Sequence, residues 1–354
     1  MLTSIGFTLV RCDNSIWVFK RASTRIIIPV YVDDMTIACN KRTEYEQVVG
    51  ELKKHFKIKE LGETSSLLGV LIERDRSKRR LCISQKHYAE DVLERFNLSN
   101  MHPVSTPLDT GLRLSKDQAP QTHEERSEMS KLPYSQLVGA LMYLAIATRP
   151  DIAHAVGVLS RFSSNPGMPH WKALKHLCRY VQGTKDFKLC YEPDPTCKEP
   201  FSTYADADYA GDIDTRRSTS GMVVKMGTGA ISWASKLQPV VTLSTTEAEY
   251  ISATSAAQEI LWLRNLFQEI GYEIEGASSL YLDNQSAIAV SKNPEHHGRM
   301  KHLDLRHYWL RDVVKEGKID VKYIPTASMP ADIMTKSLPK ATVELMRKMH
   351  GLEK

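Results

Sequence analysis

Phe201-Ser202-Thr203-Tyr204-Ala205-Asp206-Ala207-Asp208 is the stretch on which the reading of this chain turns. Its aromatic and β-branched residues predict a strand over 201–206 that ends on Asp206. Downstream, Ser244-Thr245-Thr246-Glu247 has the Ser-x-x-Glu spacing of a capping box, which opens a helix ending near Gly271. Leu280-Tyr281-Leu282 is a short buried strand stopping at Asp283, and Pro330 starts the last helix, with Asp332 in its first turn. Asp206, Glu247, Asp283 and Asp332 thus stand at strand ends and helix starts, where the edge of a mixed sheet gathers ligands. Carboxylates crowded together raise one another's pKa, and hard divalent cations bound through oxygen are the natural compensation. Two such cations activate water and stabilise in-line attack on a phosphodiester.

Two neighbouring acids compete for these places. Asp208 shares the strand face of Asp206 if the strand continues. Glu249 stands about 200° round the helix from Glu247 and is expected to point elsewhere. The histidines at 296, 297, 302 and 307 do not share one helical face, so a zinc site is not expected there. Lys301, His302 and Arg306 are candidates for phosphate contact, with a solvated helix face as the alternative.

Around this region the chain divides by composition. Strands are expected over 16–19 and 26–38, with Asp33-Asp34 in a hairpin turn between Val30-Tyr31-Val32 and Met35-Thr36-Ile37. A helix over 44–56 follows, then two strands flanking Asp75-Arg76-Ser77-Lys78. Ser84 is placed to cap a helix whose Tyr88, Val92 and Phe96 share one face. Residues 109–132 read as a polar loop, and helices follow over 134–147, 151–162 and 171–182. Glu192-Pro193-Asp194-Pro195 looks like a boundary. Beyond it, Gly227-Thr228-Gly229 turns a hairpin, and 319–323 alternates as a strand. The domains expected are therefore 1–108, 109–195 and 196–354.

The bulk numbers exclude little. With 354 residues the chain can bury a full core. A net charge of +5 suits a polyanionic partner without demanding one. Six cysteines without a Cys-x-x-Cys pair read as reduced thiols rather than zinc ligands or disulfides. No signal peptide or membrane-length apolar run is present, so an intracellular, soluble protein is expected.

The local strings carry more. Tyr-Ala-Asp-Ala-Asp-Tyr-Ala-Gly-Asp (204–212), Arg-Arg-Ser-Thr-Ser-Gly (216–221), Ser-Thr-Thr-Glu-Ala-Glu-Tyr (244–250) and Asp-Asn-Gln-Ser-Ala-Ile (283–288) resemble the ribonuclease H domain of copia-type LTR retrotransposon polyproteins. So do His297-Gly298-Arg299-Met300-Lys301-His302-Leu303-Asp304 and Ala331-Asp332-Ile333-Met334-Thr335-Lys336. Upstream, Tyr31-Val32-Asp33-Asp34 resembles the catalytic hairpin of reverse transcriptases. Ser84-Gln85-Lys86-His87-Tyr88, Tyr134-Ser135-Gln136-Leu137-Val138-Gly139 and Thr148-Arg149-Pro150-Asp151 continue that resemblance through thumb and connection.

The resemblance implies a mixed α/β fold: a ribonuclease H-like five-stranded sheet with flanking helices, preceded by a truncated palm and a helical thumb and connection. It implies that Asp206, Glu247, Asp283 and Asp332 hold two Mg²⁺ or Mn²⁺ ions and that the RNA strand of an RNA/DNA hybrid is cut. Cellular ribonucleases H often carry a histidine before the last acid, whereas Thr326-Ala327-Ser328-Met329-Pro330 has none. Asp33 and Asp34 read as a vestigial polymerase metal site, because Asp13 is the sole acid before them and lies in a polar context. Three readings stay open at this point: an active hybrid nuclease, a catalytically silent nucleic-acid-binding remnant, and a polymerase completed by an upstream segment. Association with a fuller copy of the polyprotein, in a virus-like particle or the nucleus, is open as well.

Overall fold

The computed structural model describes residues 2–195, 199–292 and 309–354. They fall into two compact units, Met1–Thr64 with Gln258–Gly276 and Ser65–Ala257 with Ala277–Lys354.

In the first unit, strands β1 (Thr8–Leu9), β2 (Ile16–Arg21) and β3 (Thr24–Tyr31) form an antiparallel meander. β3 then pairs with β4 (Asp34–Met35) and β5 (Ala38–Cys39), and helix α1 (Arg42–His55) follows. Alternation sets the core: Ile26 and Ile28 point inward and pack with Phe7, Val48 and Leu52. The expected acidic hairpin is very tight. Tyr31 pairs with Asp34, so Val32 and Asp33 make the whole turn and Asp34 already lies in the return strand. Val32 takes φ +52°, an unusual conformation for a β-branched residue that the two-residue turn imposes.

The second unit starts with β6 (Ser66–Leu67), β7 (Val70–Asp75) and β8 (Arg80–Ser84), then helix α2 (Lys86–Arg95). Ser84 ends the strand, and the N-cap position falls on Gln85 without a side-chain cap bond, contrary to the expected Ser84 cap. The 109–132 segment is not simply loop. Its Thr122 and Glu125 cap one another's backbone and open helix α3 (His123–Ser130). Helices α4 (Tyr134–Ala147), α5 (Ala153–Ser160) and α6 (Met168–Thr184) lead to β9 (Lys188–Tyr191). Trp171, Leu174, Leu177 and Val181 are all buried on α6, as their helical spacing predicts.

Next come β10 (Ser202–Asp208), β11 (Thr219–Met226), β12 (Gly229–Leu237) and the long helix α7 (Thr245–Ile270), whose residues from Gln258 onward are counted in the first unit. They are followed by β13 (Ser278–Leu282), α8 (Gln285–Lys292), α9 (Trp309–Lys315), β14 (Ile319–Tyr323), α10 (Lys340–Met349) and β15 (Leu352–Glu353). One sheet has the order β12-β11-β10-β13-β14, with the first three strands antiparallel and β13 and β14 parallel to β10. The mixed five-stranded sheet is therefore present. A second sheet, β15-β9-β8-β7-β6, is antiparallel throughout. The boundaries expected at 108 and 195 both lie inside this unit, because one apolar core runs from Ala89 through α4, α5 and α6 to Val223, Met334 and Leu352. The last helix also differs from expectation: Pro330–Met334 is a short 3₁₀ turn, and the final α-helix starts only at Lys340.

The cysteine expectation is corrected too. Cys82 and Cys190 form a disulfide across β8 and β9, where the register sets them opposite each other with Cα atoms 4.1 Å apart. A separation of 108 residues left no trace of this in the spacing. Cys12, Cys39 and Cys178 are free thiols.

Beneath the helices lies a buried ion pair. Arg149 Nη2 donates to Asp151 Oδ2 at 2.8 Å and Nε donates to Oδ1 at 2.9 Å, while the Tyr180 hydroxyl donates to Oδ2 at 2.7 Å. Burial alone would raise the Asp151 pKa, but the Arg149 charge and these hydrogen bonds hold it below the ordinary carboxylate range. A group so depressed stabilises the fold above its unfolded pKa, and that stability is lost as pH falls through its folded value. Removing one charge of a buried pair strands the other, so Arg149→Met is expected to cost roughly 3–5 kcal/mol in urea unfolding at neutral pH. A loss below about 1 kcal/mol would show that the pair does not organise this core.

Candidate metal centre

β10 does not stop at Asp206 but runs to Asp208, so Asp206 sits inside the strand, opposite Gly221 of β11. This pairing shapes the site. A Cβ on Gly221 would lie 2.6 Å from Thr335 Cγ2 and 2.7 Å from Met334 Cβ. The glycine thus lets the Pro330–Met334 turn settle directly on the sheet beside Asp206. From there the Thr335 hydroxyl donates to Asp206 Oδ2, and Lys336 Nζ lies 3.7 Å from the same oxygen and 2.9 Å from Asp332 Oδ1. The Asp206 carbonyl accepts from Ser252 Oγ at 2.7 Å, which ties β10 to α7.

The acids that meet are Asp206, Glu249 and Asp283, whose ligand atoms lie within 4.8 Å of one another. Among the described residues no other group of three such side chains is this close. Glu249 occupies the place expected for Glu247, and the helix start explains the exchange. Glu247 N–H donates to Ser244 Oγ at 3.2 Å, and its carboxylate reaches back to accept from Leu243 N–H at 2.7 Å. The capping box therefore uses up Glu247, and the residue about 200° further round the helix faces the sheet. Asp283, just past the end of β13, accepts from Thr326 Oγ1 at 2.7 Å. Asp332 joins through Lys336.

Asp208 stays outside this group. Its carboxylate accepts from the Thr219 backbone, and it lines a neighbouring cleft with Arg161, Asp212 and Lys336. Asp33 and Asp34 belong to the first unit's hairpin and not to this group. Lys301, His302, Arg306 and the four histidines considered for zinc lie outside the described residues.

The electrostatics are those of crowded carboxylates. Burial, then the charges of Asp206 and Asp283, push Glu249 up to about 9. Burial and Asp206 push Asp332 up to about 6 against the opposing effect of Lys336. Burial alone pushes Asp208 up more than any other influence on it, to about 6. Burial works against the Lys336 ammonium, yet Asp206 and Asp332 hold it above the ordinary lysine value. Glu249 Oε2 is buried without a hydrogen-bond partner. A buried oxygen with no donor, in an all-carboxylate set, fits a hard divalent cation such as Mg²⁺ or Mn²⁺.

Sequence reasoning weighed Glu249 and set it aside in favour of Glu247, and gave Thr335, Lys336 and Gly221 no role at the site. A glycine inside a strand that otherwise holds side chains was a usable sign of close approach by another segment. Nothing local in the sequence singles out Thr335 and Lys336, whose role depends on the turn folding back.

A family model described as reverse transcriptase (RNA-dependent DNA polymerase) matches residues 1–110. Over 337 residues the chain is 48% identical to the Retrovirus-related Pol polyprotein from transposon TNT 1-94 of Nicotiana tabacum, covering 94% of this chain and 25% of that protein. It is 35% identical to the Retrovirus-related Pol polyprotein from transposon RE2 of Arabidopsis thaliana, covering 100% of this chain and 24% of that one. The foamy viral protease-reverse transcriptase, solved in complex with an RNA/DNA hybrid, aligns with a TM-score of 0.46 at 14% identity, over 84% of this chain and 36% of that one. The chain spans about a quarter of the length of the curated relatives it matches. No described helix is long and apolar enough to cross a membrane. Matched over 94% and 100% of its length by these polyproteins, the chain belongs to the Pol family of copia-type retrotransposons.

Proposed function

We propose that residues 196–354 act as a ribonuclease H, a two-metal endonuclease that hydrolyses the RNA strand of an RNA/DNA hybrid. The observation that carries this is the meeting of Asp206, Glu249 and Asp283 within 4.8 Å, with a buried Glu249 oxygen left unpaired. Asp206, Glu249 and Asp283 would hold one Mg²⁺ or Mn²⁺, and Asp206 with Asp332 a second. When bound, such ions supply Lewis acidity to an attacking water and to the leaving 3′-oxygen.

The chain's own groups prepare this chemistry. Thr335 fixes the Asp206 carboxylate, and Ser252 fixes its backbone, so the central ligand keeps one orientation. Asp206 is only 3% exposed, which limits competition from bulk water. Glu247 contributes indirectly by setting where α7 begins, and with it the direction of Glu249. Selection of RNA would come from contacts to 2′-hydroxyls, with Lys301, His302 and Arg306 as candidates for phosphate contact. Residues 1–108, in the place of a reverse transcriptase palm and thumb, and 109–195, in the place of a connection, would serve as a platform for nucleic acid.

Cleavage of a labelled hybrid is expected with Mg²⁺ or Mn²⁺ and little with Ca²⁺, whose looser coordination does not hold in-line geometry. Asp206→Asn should abolish it, and equal cutting by wild type and Asp206→Asn would refute the assignment.

The two glutamates separate two roles. Glu249→Gln is expected to lower the cleavage rate on the order of 100-fold or more, in the range for losing a preorganised charge at a reacting centre. Glu247→Gln is expected to keep the rate within a few-fold while costing about 1 kcal/mol of stability, as for other helix-start hydrogen bonds. The reverse pattern would return the ligand role to Glu247.

Templated nucleotide addition by this chain alone is not expected, since two acids at a two-residue turn offer too few ligands for a pair of ions. Primer extension that disappears in Asp33→Asn would overturn this.

A further inference from the structure

The two sides of the acidic group are balanced differently. Lys336 Nζ stands 2.9 Å from Asp332 Oδ1 and 3.7 Å from Asp206 Oδ2, so a cation of the chain's own lies between these two carboxylates. Glu249 is 6% exposed, and its Oε2 is buried without a hydrogen-bond partner. Both sides hold a buried carboxylate oxygen without a hydrogen bond, Glu249 Oε2 and Asp332 Oδ1, but only the Asp206 and Asp332 side carries an internal counter-ion. The exposure of the groups differs as well. The Lys336 side chain is 42% exposed, while those of Asp206 and Asp332 are 4% and 9% exposed. A lysine ammonium on a flexible stem can swing into water, but the two carboxylates are held by β10 and by the turn packed on Gly221.

We propose that Lys336 is the resident cation of the Asp206–Asp332 half, and that a divalent ion enters that half only by displacing it. The site then fills in two steps. The first ion binds Asp206, Glu249 and Asp283 without expelling a side-chain cation, and the second binds more weakly because it must expel the ammonium. This rests on the reading of the group as a divalent-metal site. It assigns Lys336 a positioning role, acting through Asp206 and Asp332 and setting the concentration at which the second ion enters.

Isothermal titration of the full chain with Mn²⁺ tests it. Wild type is expected to show one tight step that Glu249→Gln removes, and a weaker second step. In Lys336→Met, which keeps the apolar stem and removes the charge, the second step should tighten by at least about tenfold, as expected for removing a unit charge a few ångströms away. Lys336→Arg keeps the charge and should leave the second step weak. An unchanged second step in Lys336→Met would overturn the role of Lys336 while leaving the metal site standing. Loss of any Glu249-dependent step would overturn both. A measurement on the unmutated protein guards against misfolding of the variants: acetylation of Lys336 by acetic anhydride, followed by mass spectrometry, should speed up several-fold at saturating Mn²⁺. Equal or slower labelling would overturn the proposal.

Discussion

Repulsion among carboxylates held at one place on β10 is the constraint around which the second unit is arranged. Left to themselves, Asp206, Glu249, Asp283 and Asp332 would separate or take up protons; burial first, and this repulsion second, raise Glu249 and Asp332. They stay together because each is fixed by structure that has other reasons to form. Asp206 is inside a strand paired on both sides, Asp283 follows a strand buried between two others, and Glu249 is on a helix capped by Ser244, five residues earlier. Asp332 is brought in by a turn that packs on a glycine. The apolar core supplies the free energy that confines the charges.

Much of this arrangement was legible in the sequence. The helix expected over 134–147 matches α4 and that over 171–182 lies inside α6 (Met168–Thr184), and Gly227-Thr228-Gly229 marked its hairpin because so short a turn needs residues tolerant of unusual φ. What was missed depended on competition between signals. Thr122-His123-Glu124-Glu125 carries the same capping spacing as Ser244 to Glu247, but its polar surroundings suggested a loop. Ser84 looked like a cap because serine is favoured there, yet the ladder between β7 and β8 claims it for a strand.

The exchange of Glu247 for Glu249 is the most instructive case. The capping box was correctly recognised, but the residue it engages, Glu247, is not among the three acids that meet. A side chain that satisfies the backbone at a helix start has its oxygens engaged and its direction set toward the incoming chain. Glu249, two residues on, has no such duty and meets Asp206 and Asp283. The disulfide between Cys82 and Cys190 shows the opposite limit: cross-strand register alone makes the pair, and register between segments so far apart is settled only by the whole sheet.

The short strand β15 has a consequence for synthesis of the chain. Leu352 and Glu353 pair with Leu189 and Lys188, so β9 lacks a neighbour on one side until those late residues have left the ribosome. Until then the nascent chain presents an open strand edge, and the surface of Gly221 that receives the 330–335 segment is uncovered. A unit closed by contacts of such long sequence separation completes its fold only after translation has passed its last strand. Stalled or prematurely terminated copies would then be prone to aggregate and to be degraded, so that assembled acidic centres would occur only on polypeptides read through to that point.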